Sequence, residues 1–550
     1  MPRGSGTYAL LALLTAAACS AARAPGRPSW RQPETIAGSG VRGPMVIEMA
    51  PSSPGARAYN DAPVPPPRSA LSDAVVRAVA RASAELGKPA PVPDGRLYAA
   101  ARELAEVAPA DGPLVYSLIE FALQRHGIIE PSPHLVVVWD PGDTASLVDS
   151  LAPRLPAILG STDFARLGIG AAKRERGAEV VVLAFQQSFI ETGPIPRRLE
   201  RGGRAAIEAS ISAAYSDPEV LVTREDGNVQ RLVIAPAGKN GFRTELGCGR
   251  HLGRQQVEIT ATDRTGATVM ANFPVWCAED PPARMRVELD ADESAPIESA
   301  QDAEKRLAHM IDRDRENHGL PALGLEPRLT EVARAHSRDM RDTGVVAHIS
   351  PTTGSAVDRV RAGGIKSSVV LENVARAYGV AEAEEGLMNS PGHRANILSR
   401  DATHMGLGVI LGGVVAGRRE IFVTQLFIRL PSRIDHRQTR DEVADIVKRV
   451  RPLDEDRELS LVAEELAEDV AGGLKPADAA ARASQRMATM RLPYSKVTTQ
   501  VSTVSDLAAF HPSSSLSAPS LAAFGVGVAQ GDHDVVGEAA IHIVLVFGHQ

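Results

Sequence analysis

The sequence predicts an α+β multidomain protein in which one α/β module is used three times, with an antiparallel β-sandwich inserted after the first copy. Three observations lead there. At 550 residues the chain is too long for one core, since domains run to about 100–200 residues each. Three segments open on a similar helix: RLYAAARELAEV from Arg96, RLTEVARAHSRDM from Arg328 and ELSLVAEELAEDV from Glu458. Each reaches, roughly 65 to 80 residues later, a Gly-x-Gly strand start and an apolar hairpin partner. Finally, between Gly203 and Cys277 apolar residues alternate at period two in short runs such as EVLVTRE and QQVEITATD, divided by DG, GKNG and RTG turns, as half-buried antiparallel strands require.

Taken in order, residues 1–24 read as an export signal: Arg3 near the start, an apolar run from Tyr8 to Leu14 too short to span a bilayer, then small residues up to Cys19. Within AAAC, Cys19 is placed to become the lipidated first residue of a lipoprotein, and cleavage after Ala18 or Ala24 by an ordinary signal peptidase is the alternative. The expected location is extracytoplasmic: periplasm, outer membrane through that lipid, or secreted. Residues 25–70, rich in Pro, Gly and Ser, read as a flexible linker. The first module is expected over 71–195, the sandwich over 196–282, an acidic linker over 283–300, the middle module over 301–432 and the last over 433–550.

Cys248 and Cys277 are the cysteines that follow Cys19, both in the strand-rich segment, with no His or Cys partner at ligand spacing. In an exported chain that pair reads as a structural disulfide. The pairs Gly168/Gly170, Gly406/Gly408 and Gly525/Gly527 are each followed by a turn and a strand instead of a helix N-terminus. That disfavours a phosphate cradle and predicts close backbone packing in a hairpin. With 60 Lys+Arg against 67 Asp+Glu, a net charge of -7, no basic field gathers nucleic acid, which is not expected as a partner.

Chemistry is concentrated in the middle module, in IDRDRENHGLPAL, AHIS with His348, ENVA with Glu372 and Asn373, MNSPGHRANIL with His393 and Asn396, HMGLGV and FVTQLF. Six motifs in this order resemble the CAP superfamily (cysteine-rich secretory, antigen 5 and pathogenesis-related proteins) in its bacterial SCP form, over about a quarter of the chain. The resemblance implies a central CAP α-β-α sandwich with a shallow cavity lined by His348, Glu372 and His393, flanked by two degenerate CAP-like modules. Many relatives carry a further Glu three positions after a Trp. Here those positions are Ser390 and Leu387, so the tetrad is incomplete.

Read from their own chemistry, two imidazoles and a carboxylate can bind Zn with an open position, His348 and His393 being the ligands, or can arrange a general base and its orienting partner. The bland alternative is a buried hydrogen-bond network that knits loops to the sheet. His336 reads as a solvated or packing residue. No Gly-x-Ser-x-Gly elbow and no cysteine occur in the middle module, so nucleophilic catalysis of those kinds is not expected. The first module has His126 and His134 but no EN partner, and the last has RLPYSKVTTQV where His348 would lie. The expected function is binding of a small apolar ligand or an envelope protein through the central cavity. The alternative is a metal- or His/Glu-dependent hydrolase acting on peptide or nucleic acid.

Overall fold

The computed structural model describes residues 45–109, 114–174, 178–250, 252–289, 297–415, 418–430, 433–512 and 514–550. The export signal with Cys19, the linker up to residue 44 and the acidic residues 290–296 lie outside them. The described residues form a mixed α/β molecule with thirteen α-helices.

Three four-stranded sheets share one topology. In each, a two-residue strand runs parallel to the Gly-x-Gly strand, which pairs antiparallel with its hairpin partner, which pairs antiparallel with a fourth strand. The first sheet is Val92–Pro93, Arg166–Lys173, Glu179–Gln186 and His134–Trp139. The middle one is Gly324–Leu325, His404–Val415, Arg418–Ile428 and Val370–Ala377. The last is Asp454–Glu455, Leu521–His533, Gly537–His549 and Lys496–Val504.

A helix lies on each sheet: Gly95–Val107, Pro327–Thr343 and Arg457–Ala471. Leu97, Ala100, Ala101, Leu104 and Ala105 show why the first forms, a buried stripe at helical spacing behind an Asp94 cap. The middle helix begins at Pro327 and stops at Gly344 in the left-handed region. The paired glycines let strand and helix backbones touch. A Cβ on Gly170, Gly408 or Gly527 would meet a helix backbone carbon at 2.2, 2.2 or 2.1 Å, in Ala101, Ala333 and Ala463 respectively.

Between the first and middle modules, a four-stranded and a five-stranded sheet share a core that includes Phe242, Val257 and Phe273. The expected Cys248–Cys277 bond is present, with Cα atoms 5.5 Å apart.

Two stretches read as linkers are structured in part. Met45–Met49 pairs antiparallel with Met285–Leu289, and Ile47 and Met49 join the core of the first module. Tyr59 is fully buried and donates to the Pro274 carbonyl at 2.7 Å. Pro and Gly on either side masked the short period-two signal in MVIEM, and a lone five-residue strand becomes stable only through its distant partner.

Candidate functional site

Glu372 lies in the strand Val370–Ala377 and is buried. One carboxylate oxygen accepts from His348 Nδ1 at 3.0 Å and the other from the Arg359 guanidinium. His336 Nε2 lies 3.9 Å from that second oxygen and donates to the Ala347 carbonyl at 2.9 Å. Burial alone would raise the Glu372 pKa, but Arg359, His336 and His348 together hold it down to about 2. Burial pushes His336 the other way, below its usual value, against the opposing pull of Glu372. Arg359 is presented by the helix Ala356–Ala362, fixed by a capping box between Ser355 and Asp358. The solvated alternative for His336 is corrected: the ring is buried and packed.

Asn373 and Asn396 are brought together as part of a second buried chain. Asn396 Nδ2 donates to the Asn373 side-chain oxygen at 2.9 Å and to the Glu372 carbonyl at 3.1 Å. Asn373 Nδ2 in turn reaches Gln425 Oε1 at 2.9 Å and the His393 carbonyl at 3.2 Å. Gln425 donates onward to Glu384 at 2.7 Å, and burial raises that carboxyl to about 8, so it stays protonated at neutral pH.

Each oxygen of Glu372 therefore meets one donor, a guanidinium on one side and an imidazole N–H on the other. Among the described residues, no group of three or more His, Cys, Asp or Glu side chains is arranged to hold a metal. Glu372 is paired with Arg359, and its bond to His348 Nδ1 fixes the orientation of that imidazole.

A family model, "CAP: Cysteine-rich secretory protein family", matches residues 308–427. This segment is a CAP domain. A Bacillus subtilis (strain 168) protein, "Uncharacterized protein YkwD", is 37% identical over 123 residues, 22% of this chain and 48% of that protein. "Uncharacterized membrane protein YlbC" of the same strain is 38% identical over 109 residues, 20% of this chain and 31% of that one. The chain thus spans half or less of the length of these curated relatives. Among solved structures, an extracellular protein containing a SCP domain from Bacillus anthracis str. Ames aligns at 24% identity with TM-score 0.22, covering 36% of this chain and 67% of that one.

The CAP domain is covered by the inserted sheets. The backbone N–H of Ile349 donates to the Thr265 carbonyl at 3.0 Å, and Gly266, at φ +108, passes so close to His348 that a Cβ there would lie 3.0 Å from the His348 Cβ. The strand Gly253–Asp263 lies against the CAP helices. From it, Glu258 contacts the Ser390 hydroxyl and accepts from the Gly392 N–H at 3.0 Å. Ser390 Oγ is 2.7 Å from His393 Nδ1. Glu258 is fully buried, and burial lifts its pKa to about 7 against the opposing pull of Ser390 and Gly392.

Since Ser390 has one hydrogen to give, an ionised Glu258 takes it and His393 Nδ1–H donates to Ser390; a protonated Glu258 donates to Ser390, which then donates to Nδ1. Glu258, Ser390 and His393 thus form one hydrogen-bonded chain across the two parts of the molecule. The position where the CAP segment has serine in place of an acid is the one that a carboxylate from another domain touches.

Arg359, Glu384 and Glu258 were not foreseen. Glu258 carried no signal, because within VEITA it occupies the polar phase of the alternation, which normally faces water. Arg359 and Glu384 lie outside the short motifs that marked the other site residues. Of the expected set, His393 lines an open cavity where the first module, the inserted sheets and the CAP domain meet. No helix among the described residues is long and apolar enough to cross a membrane.

Proposed function

We propose that the protein is an exported cell-envelope component whose CAP domain works by binding, through the cavity that His393 lines. The observation that carries this reading is the engagement of both Glu372 oxygens by His348 and Arg359, which buries the carboxylate in an ion pair instead of presenting it to water as a base. The expected set then serves as a buried network that shapes the cavity wall: Glu372 and His348 behind it, Asn373 and Asn396 tying the helix Pro391–Ile397 to the sheet, His393 facing the open space. The occupant is a small, largely apolar ligand, with an envelope protein as the other candidate.

Export rests on the signal-like first 24 residues, and attachment to a membrane on lipidation of Cys19. The common strand order of the three sheets supports reading the outer modules as degenerate CAP-like copies around a central α-β-α sandwich, with the Ig-like unit inserted between the first and second.

The test is a turnover and metal assay on the purified full chain. Peptide and nucleic-acid substrates are expected to stay intact, and elemental analysis is expected to find zinc well below one equivalent. Cleavage lost in Glu372→Gln and His393→Ala, or stoichiometric zinc lost in the same variants, would overturn binding in favour of a hydrolase.

A further inference from the structure

We infer that residues 62–68, APVPPPR, form a preformed polyproline ridge that docks a partner protein through an aromatic-lined groove with acidic residues at one end. The site is separate from the CAP domain and goes beyond the binding reading above.

The conformation follows from the residues. Pro63, Pro65, Pro66 and Pro67 each fix φ at about −65°, and the residue before a proline is driven to extended or polyproline backbone. Together these two rules cover residues 62 to 67. Every X–Pro bond in the segment is trans, as a polyproline II helix requires.

The segment is strapped down at both ends. Asn60, in the left-handed region at φ 46, donates its backbone N–H to the Gly127 carbonyl at 2.9 Å, behind the buried Tyr59. On the other side Ser69 caps the helix Ala70–Glu85, and the Ser72 hydroxyl donates to the Pro67 carbonyl at 3.3 Å. Between them the Gly95 N–H donates to the Val64 carbonyl at 3.1 Å, an approach that a Cβ on Gly95 would block. Carbonyls three residues apart point the same way in a helix of three residues per turn, so one edge is turned to the protein. The side chains are left open: of residues 62–68 all but the half-buried Pro66 are exposed, Val64 to 51%. None of them belongs to the cores beside them. Proline-rich ligands are read in this form, as rings on a stiff helix whose ordering entropy is lost before the partner arrives.

Charge gives the partner its chemistry. The spacing Pro63-x-x-Pro66-x-Arg68 places one cation just beyond the second proline of a Pro-x-x-Pro pair. Arg68 is exposed and forms no ion pair among the described residues. The faces of Tyr or Trp take the proline rings, and a carboxylate at the end of the groove takes the guanidinium in a two-pronged pair. A groove with a basic end would repel it.

The probe is a purified SH3 domain selective for Pro-x-x-Pro-x-Arg peptides, titrated calorimetrically with the full chain. Binding is expected to be saturable and one-to-one, and to vanish when an excess of free Pro-x-x-Pro-x-Arg peptide fills the groove of the probe. Arg68→Glu and the pair Pro63→Ala/Pro66→Ala should each weaken it by about tenfold or more, while Val64→Ser, at an x position of the spacing, should leave it within about twofold. All three variants should keep the parent's melting curve, since the changed side chains lie outside the cores. No saturable binding by the parent, binding that survives the free peptide, or unchanged affinity in Arg68→Glu and in the proline pair would overturn the proposal. So would sedimentation showing a dimer of the chain that is lost in the same variants, which would assign the ridge to a second copy.

Discussion

The CAP domain and the last module share a sheet, a helix and a glycine pair, so their cores can be compared position by position. Across the sheet, Gly406 lies opposite Leu426, which lies opposite Glu372; in the last module the same line runs Gly525, Val546, Thr499. The first module gives Gly168, Ala184, Leu135. On the helices, these glycines rest on Leu329, Leu459 and Leu97, and two turns further on stand His336, Leu466 and Leu104, all buried. The polar trio His336, Glu372 and Arg359 therefore occupies a place that the outer modules leave apolar on the helix and without an acid on the strand. Backbone contact at the glycines maintains the frame, and the chemistry is a separate layer that can be present or absent on it. No residue of the strand bearing Thr499 is fully buried, whereas five of the eight in the strand bearing Glu372 are.

The largest effect should come from breaking the polar layer at one point. Glu372→Gln leaves Arg359 buried beside no anion and should cost about 3–5 kcal/mol in urea unfolding. Installing the apolar pattern of the outer modules, Glu372→Leu with His336→Leu and Arg359→Met, should recover most of that; a triple variant as unstable as the single one would show that the layer is not self-contained. Because the folded pKa of Glu372 is lowered from 4.5 to about 2, its contribution is complete above pH 4.5 and disappears as pH falls toward 2. The parent should lose stability across that window more steeply than Glu372→Gln.

Next in size, Gly170→Ala, Gly408→Ala and Gly527→Ala should each cost about 1–3 kcal/mol or more, by scanning calorimetry, because each Cβ meets helix backbone. A penalty confined to one module would mean that the frame is not common to all three.

Glu258 gives the opposite pH sign. Its folded pKa is raised from 4.5 to about 7, so the folded protein holds a proton that the unfolded chain releases, and stability falls as pH rises from 4.5 to 7. Glu258→Gln should remove that decline, a gain of roughly 1–3 kcal/mol at pH 8 relative to pH 4, read from denaturant midpoints at the two pH values. An unchanged decline would assign it to another group, Glu384 first.

The smallest effect is expected where the last module meets the CAP domain. Arg328 bonds both oxygens of Glu538 at 3.0 and 2.9 Å, but its side chain is 47% exposed. Arg328→Ala should cost less than about 1 kcal/mol, and less still in high salt.

The pattern of what was legible follows from range. The repeated helices and glycine hairpins are local signals of period and turn, and His348, His393 and Glu372 sit in short motifs. Arg359 became visible only once the helix Ala356–Ala362 was placed over the sheet, and Glu258 only once a second domain covered the outer face of its strand. Alternation assigns a polar residue to water whenever the covering surface comes from 132 residues away.

The ladder between Met45–Met49 and Met285–Leu289 has a mechanical consequence. Met45 is opposite Leu289, so the chain arriving from the N-terminal side and the chain leaving toward the CAP domain part at the same end of the ladder. Tension applied between the N-terminal side of Met45 and the CAP domain would load these five pairs first, and from one end, so that they peel open one after another instead of shearing together. The 235 residues between the strands, the first module and the inserted sheets (285 − 49 − 1), form a closed loop bypassed by that load until the ladder has opened.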